Sequence, residues 1–112
     1  MGKITLADIK KLRERIYKES MALIETKGHD YNYKQQMGGD TLFNLRVAYI
    51  LGVVDTPAKS VVVRMIDKMM RIISLTDADP EVKNESMEDT IKDLHNYADY
   101  WLIFKQEEKN GS

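Results

Sequence analysis

Four charged residues interrupt the apolar stretch VVVRMIDKMMRI at 61–72: Arg64, Asp67, Lys68 and Arg71. Their spacings of three, one and three residues place them on one narrow stripe of a 3.6-residue helix. Three cations along one line can hold phosphate oxygens, each guanidinium as a planar fork and the ammonium as a point charge. A second polar stripe follows, with Glu85, Asp89, Asp93 and Asn96 spaced four, four and three apart. If the two helices are antiparallel neighbours, these carboxylates approach the cations. Asp67, Asp89 and Asp93 could then hold Mg2+ between helices, because a hard divalent ion takes oxygen ligands from facing helices. Cations alone favour binding, whereas carboxylates with an ordered metal favour hydrolysis. The plainer account of the same residues is an interhelical salt-bridge ladder, in which each exposed pair contributes about 0–1 kcal/mol.

The stretch GHDYNYKQQMGG at 28–39 adds aromatic rings and amides without apolar periodicity, so it reads as a long functional loop. There Tyr31 and Tyr33 could stack on a base while Asp30 accepts from a ribose hydroxyl or an exocyclic amine; alternatively, the tyrosines pack the loop onto the body of the protein. Other chemistries lack their residues. There is no cysteine, and the two histidines, His29 and His95, lie far apart, which argues against zinc, a thiolate nucleophile or a disulfide framework. No strained serine motif supports a triad, and Gly38-Gly39 lacks the Gly-Lys-Ser/Thr ending of a phosphate loop. No catalytic residue is assigned.

The elements that must position these groups are helices. Thr5 can cap the first helix with Asp8 reaching back to it, and Ile9, Leu12, Ile16 and Leu23 follow one face until Gly28. Asp40 is placed to cap a short helix closed by Gly52, and Thr56-Pro57 starts a third helix that extends to about Leu75. Ser86 can cap the last helix, with Asp89 as its reciprocal residue and a fraying tail at 106–112. The expected fold is all-α, a single domain over 1–112: an up-down helical bundle of three long helices and one short one. Because the third helix is apolar over most of its circumference, four helices of one chain leave part of it bare, and a homo-oligomer with Met-rich contacts is expected.

Composition bounds the partners. The chain has 112 residues, 43% hydrophobic and 31% charged, with a formal net charge of −1, so no long-range field draws it to a nucleic acid duplex or an anionic membrane. Apolar runs are broken by charges well short of the ~20 residues that a membrane span needs, and the absence of cysteine fits a reducing compartment, so a cytoplasmic protein is expected.

Four segments in order carry a resemblance: KGHDYN at 27–32, DTLFNLR at 40–46, VRMIDKMMRI at 63–72 and ESMEDTIKDLHNYA at 85–98. They resemble a family of small, often phage-encoded all-α proteins called nucleotide-modification-associated, distantly similar to the MazG and dimeric dUTPase group. That likeness implies a helical bundle, assembly into oligomers, a nucleotide site between helices and, in the MazG group, Mg2+-dependent hydrolysis of a nucleoside triphosphate to monophosphate and pyrophosphate. The chain departs from those enzymes where they carry a Glu-x-x-Glu pair, having Arg64-x-x-Asp67-Lys68 instead, and Asp89 and Asp93 are four apart rather than three. An arginine in place of a carboxylate repels metal and holds phosphate.

The reading is therefore a nucleotide-binding protein that needs no cofactor. Arg64, Lys68 and Arg71 hold phosphate, Asp67, Asp89, Asp93 and Asn96 orient the cations or touch the ligand, and Tyr31 and Tyr33 cover the base. Sequestering a nucleotide or cyclic nucleotide signal in the cytoplasm of an infected bacterium would be one use. The alternatives are a Mg2+-dependent pyrophosphohydrolase with a reduced carboxylate set and a structural or protein-interaction module.

Overall fold

The computed structural model describes residues 2–31, 42–77 and 80–111, with the backbone alone at 27–31 and 80–86. Every regular element among them is a helix: α1 (Leu6–Tyr31), α2 (Phe43–Ile50), α3 (Pro57–Thr76) and α4 (Pro80–Gly111). The local signals act as read at several ends. At the start of α1 the Asp8 N–H donates to Thr5 Oγ1 at 3.2 Å while the Thr5 N–H donates to Asp8 Oδ2 at 2.9 Å. That reciprocal pair satisfies two backbone donors and holds the Asp8 carboxyl below its ordinary value, chiefly through the Thr5 backbone. Thr56 caps α3 by accepting from the Lys59 N–H at 3.3 Å, with Pro57 at the first turn. Gly52 closes the α2 segment at φ 78°, a left-handed conformation that favours glycine, and the Val53 N–H returns to the Ala48 carbonyl at 2.8 Å.

Other boundaries differ from the expectation. Helix α1 continues through Gly28 to Tyr31, so the first part of the expected loop is helical; one glycine inside a long helix costs only about 1 kcal/mol. Helix α4 begins at Pro80 rather than at Ser86 and stays helical through 106–111, the expected frayed tail. Pro80 needs no partner for a missing N–H at a helix start. At the other end, Lys105 pairs with Glu108 at 2.9 Å and Glu107 with Arg46 at 2.6 Å, which ties the last turns down. Asp40 and the remainder of the loop lie outside the described residues.

Helix α4 is the shared element. Buried Val61 and Ala58 of α3 pack with buried Phe104, and Lys68 meets Asp93, so residue numbers rise on one helix as they fall on the other: α3 and α4 are antiparallel. Leu42 and Leu45 from the α2 segment, with Met65, Tyr97, Tyr100 and Trp101, complete this core. Helix α1 packs on a different side of α4, parallel to it, through Arg15 with Glu88 at 2.8 Å and Asn96 with Ser20. Among the described residues α1 makes no extensive contact with α2 or α3. The result is two seams sharing α4, and Ile16, Ala58, Val61 and Phe104 are the buried apolar side chains among the described residues. No described helix is long and apolar enough to cross a membrane.

Candidate functional site

Antiparallel packing brings the two polar stripes together at one point. Lys68 Nζ lies 2.9 Å from Asp93 Oδ2, with side chains only 24% and 13% exposed. Such a partly enclosed pair is mutually dependent, because removing either partner leaves a charge that water solvates poorly. Arg64 and Arg71, one helical turn before and after Lys68, are exposed, as is Asp67 between them. Among the described residues none of these three has an ion-pair or hydrogen-bond partner. The edge of α3 thus presents two guanidinium groups and one carboxylate to water on a regular helix, with the Lys68–Asp93 pair at its foot.

Ser60 lies on the same stripe, four residues before Arg64. It is 5% exposed, and its Oγ has no hydrogen-bond partner among the described residues. A buried hydroxyl without a partner is uncommon, which marks the head of the charged edge. The sequence carried a signal for it, since spacings of four, three and four join Ser60, Arg64, Asp67 and Arg71.

The other expected site residues are dispersed. Asp89 is exposed and close enough to Lys92 to favour its charge, although the larger effect on Lys92 is its hydrogen bond to Glu19. Asn96 is buried and faces α1, its Nδ2 donating to the Ser20 carbonyl at 3.1 Å. It fastens two helices and does not stand with the cations of α3. The side chains of Asp30 and Tyr31, and all of Tyr33, lie outside the described residues.

Two charged clusters went unread in the sequence. Arg15 bridges Glu19 at 3.1 Å and Glu88 at 2.8 Å, while Lys92 reaches Glu19 at 2.9 Å. Arg46 forks onto Glu107 at 2.6 and 2.8 Å and lies 4.7 Å from the centre of the Phe104 ring. Both act as clamps between helices. Apart from Arg15–Glu19, an i, i+4 pair within α1, the partners are 61 to 73 residues apart, which no local pattern reveals.

Among the described residues the donor set does not fit a magnesium ion of the kind that the resemblance implies. Among the described residues no three Asp, Glu or His side chains come together, and Asp93 is already neutralised by Lys68. The chemistry available on this edge is charge-assisted hydrogen bonding to an anion, with Arg64 and Arg71 as donors in fork geometry. Neither family models, curated proteins nor solved structures give a match to this chain.

Proposed function

We propose that this protein grips a phosphorylated nucleotide, or a cyclic nucleotide signal, on the charged edge of α3 and sequesters it without turnover. The observation that carries the reading is the pair Arg64 and Arg71: exposed, one turn either side of Lys68, and lacking an acidic partner among the described residues. Two arginines on one rigid helix lose no backbone freedom when they fork onto phosphate, each planar fork loses less side-chain freedom per hydrogen bond formed than a lysine, and each such contact strengthens as ligand and helix exclude water. Asp93 fixes the Lys68 ammonium, and Asp67, which pairs with neither flanking guanidinium group among the described residues, accepts from a hydroxyl or amine of the ligand. Tyr31 and Tyr33 supply the base contact and Asp30 the sugar contact in this scheme. The resemblance to phage-encoded proteins gives sequestration a use, the removal of a nucleotide immune signal in the bacterial cytoplasm by a homo-oligomer.

The test is retention and release. The purified protein is incubated with a panel of nucleoside mono-, di- and triphosphates and cyclic dinucleotides, with and without Mg2+, then stripped of free ligand, heated and its supernatant analysed. Intact ligand is expected. Arg64→Ala and Arg71→Ala should each weaken retention by roughly tenfold or more, about 1.4 kcal/mol. Mg2+-dependent release of monophosphate and pyrophosphate would instead identify a pyrophosphohydrolase. Retention of nothing, with both variants losing only stability, would identify a structural module.

A further inference from the structure

Helix α3 has a third face that neither its core contacts nor its charged edge uses. Val62, Val63, Ile66, Met69, Met70 and Ile73 all lie on it, with exposures from 38% at Val62 to 62% at Ile73. They repeat at seven residues: Ile66 with Ile73, Val62 with Met69, Val63 with Met70. That 3.5-residue period is the seam of helices that pair along their length. The face continues onto α4 through a groove of about 320 Å³ lined by Val62, Met65, Ile66, Met69, Met70 and Trp101.

The chain also exposes more surface than a compact monomer of its mass. The chain exposes 8532 Å², whereas a folded monomer of 13.0 kDa is expected to expose about 6300 Å². Its Cα radius of gyration is 16.4 Å, against about 13 Å for a compact domain of this length. The excess, roughly 2200 Å², is spread over the molecule, since large apolar side chains of α1, α2 and α4 are exposed as well. The α3 face is the part of it that forms one apolar row with a groove beside it, and the ~800 Å² that each partner gives to a standard interface lies within it. A seam that is apolar throughout is complementary to itself, and closed two-fold pairing is the commonest way for such a surface to be covered.

We propose that the apolar face of α3 docks the same face of a second copy of this chain, with the two α3 helices antiparallel. Antiparallel pairing centred between Asp67 and Lys68 overlaps the whole seam, setting Ile66 opposite the partner's Met69 and Val62 opposite the partner's Ile73. It also sets Lys59, the residue one heptad before Ile66, opposite the partner's Thr76. Parallel pairing would set it against the partner's Lys59, bringing together two ammonium groups that Asp55, at 2.7 Å from Lys59 in each chain, only partly neutralises. The charged edge of Arg64, Asp67 and Arg71 lies about a third of a turn away around α3. Docking therefore leaves that edge open in both copies, and the inference does not depend on what the edge binds.

Sedimentation velocity from micromolar to near-millimolar protein tests this directly. A dimer, or an even-numbered assembly built from it, is expected, and Ile66→Glu with Met69→Glu should yield a monomer that keeps its helical circular dichroism. A wild-type monomer at every concentration, an unchanged assembly in the charged variant, or a monomer that instead binds anionic lipid vesicles would overturn the proposal. Should the charged variant not fold, the absence of native cysteine allows a second measurement. Protomers carrying Ile66→Cys are mixed with protomers carrying Met69→Cys and mildly oxidised. A disulfide joining the two variants is expected; disulfides only within each variant, or none, would reject the antiparallel seam.

Discussion

Ser60 combines two properties that rarely coexist, near-complete burial and an Oγ with no partner among the described residues. An unpaired buried hydroxyl costs about 1–3 kcal/mol relative to solvent, so Ser60→Ala should raise stability by about 1 kcal/mol in urea unfolding. The position on the charged edge adds a second readout. Because the Oγ is out of reach of solvent, the same variant should leave ligand retention on the exposed edge unchanged; a loss of stability would mean that the hydroxyl has a protein partner. Residue spacing made Arg64, Asp67, Lys68 and Arg71 legible as one stripe, and the Lys68–Asp93 contact as its junction with α4. Asn96 was misleading for a physical reason. It shares the i, i+3 and i+4 spacing of the acidic stripe, but its amide satisfies the Ser20 carbonyl, 76 residues away, and a carbonyl on another helix leaves no trace in local periodicity.

At the scale of elements, α4 holds each of the other helices by a charged contact: Arg15 of α1 on Glu88, Lys68 of α3 on Asp93 and Arg46 of α2 on Glu107. Hydrogen bonds from Lys92 and Arg15 hold Glu19 below the ordinary 4.5 of a glutamate, that from Arg15 does the same for Glu88, and that from Arg46 for Glu107. A carboxylate with a depressed folded-state pKa contributes its stability above the unfolded value and loses it as pH falls through the folded value. Stability should therefore be level above about pH 5 and decline below pH 4.5, with α1 and α2 loosening first. Amide hydrogen exchange compared at pH 6 and pH 4, after correction for intrinsic rates, should show protection lost in those two helices before α3. Uniform loss across all four would show that the clamps do not act locally. The same long-range pairs explain which boundaries were readable. Caps at Thr5 and Thr56 and the turn at Gly52 are local chemistry and appear where their residues stand. The last turns of α4 persist because Glu107 finds Arg46 on another helix, and Pro80 opens that helix as a first-turn residue, a signal outweighed in the sequence by the polar run around it.

For the whole molecule, the two proposed roles rest on two faces of one helix. The described core is small, and six large apolar side chains on α3 stay in water in the single chain. Each is already about half-buried, so covering it adds roughly half of the 1.5–3 kcal/mol of complete burial. That is about 5–9 kcal/mol for the six, comparable with the entire stability of a typical domain. Under the proposed pairing of two α3 faces, a chain with no disulfide to restrain its unfolded state gains much of its stability from association. Mass action then makes the thermal midpoint a function of protein concentration, because the unfolded state is monomeric and dilution favours it. Scanning calorimetry over a hundredfold range of concentration should show the midpoint rising by several degrees, since about 2.7 kcal/mol separates the ends of such a range for a linked partner. Ile66→Glu with Met69→Glu should lower the midpoint and abolish its concentration dependence together. Arg64→Ala should leave that dependence intact, because the charged edge lies about a third of a turn around α3 from the seam. A midpoint independent of concentration in the wild type would mean that the single chain holds its fold alone, and the exposed seam of α3 would then need another explanation.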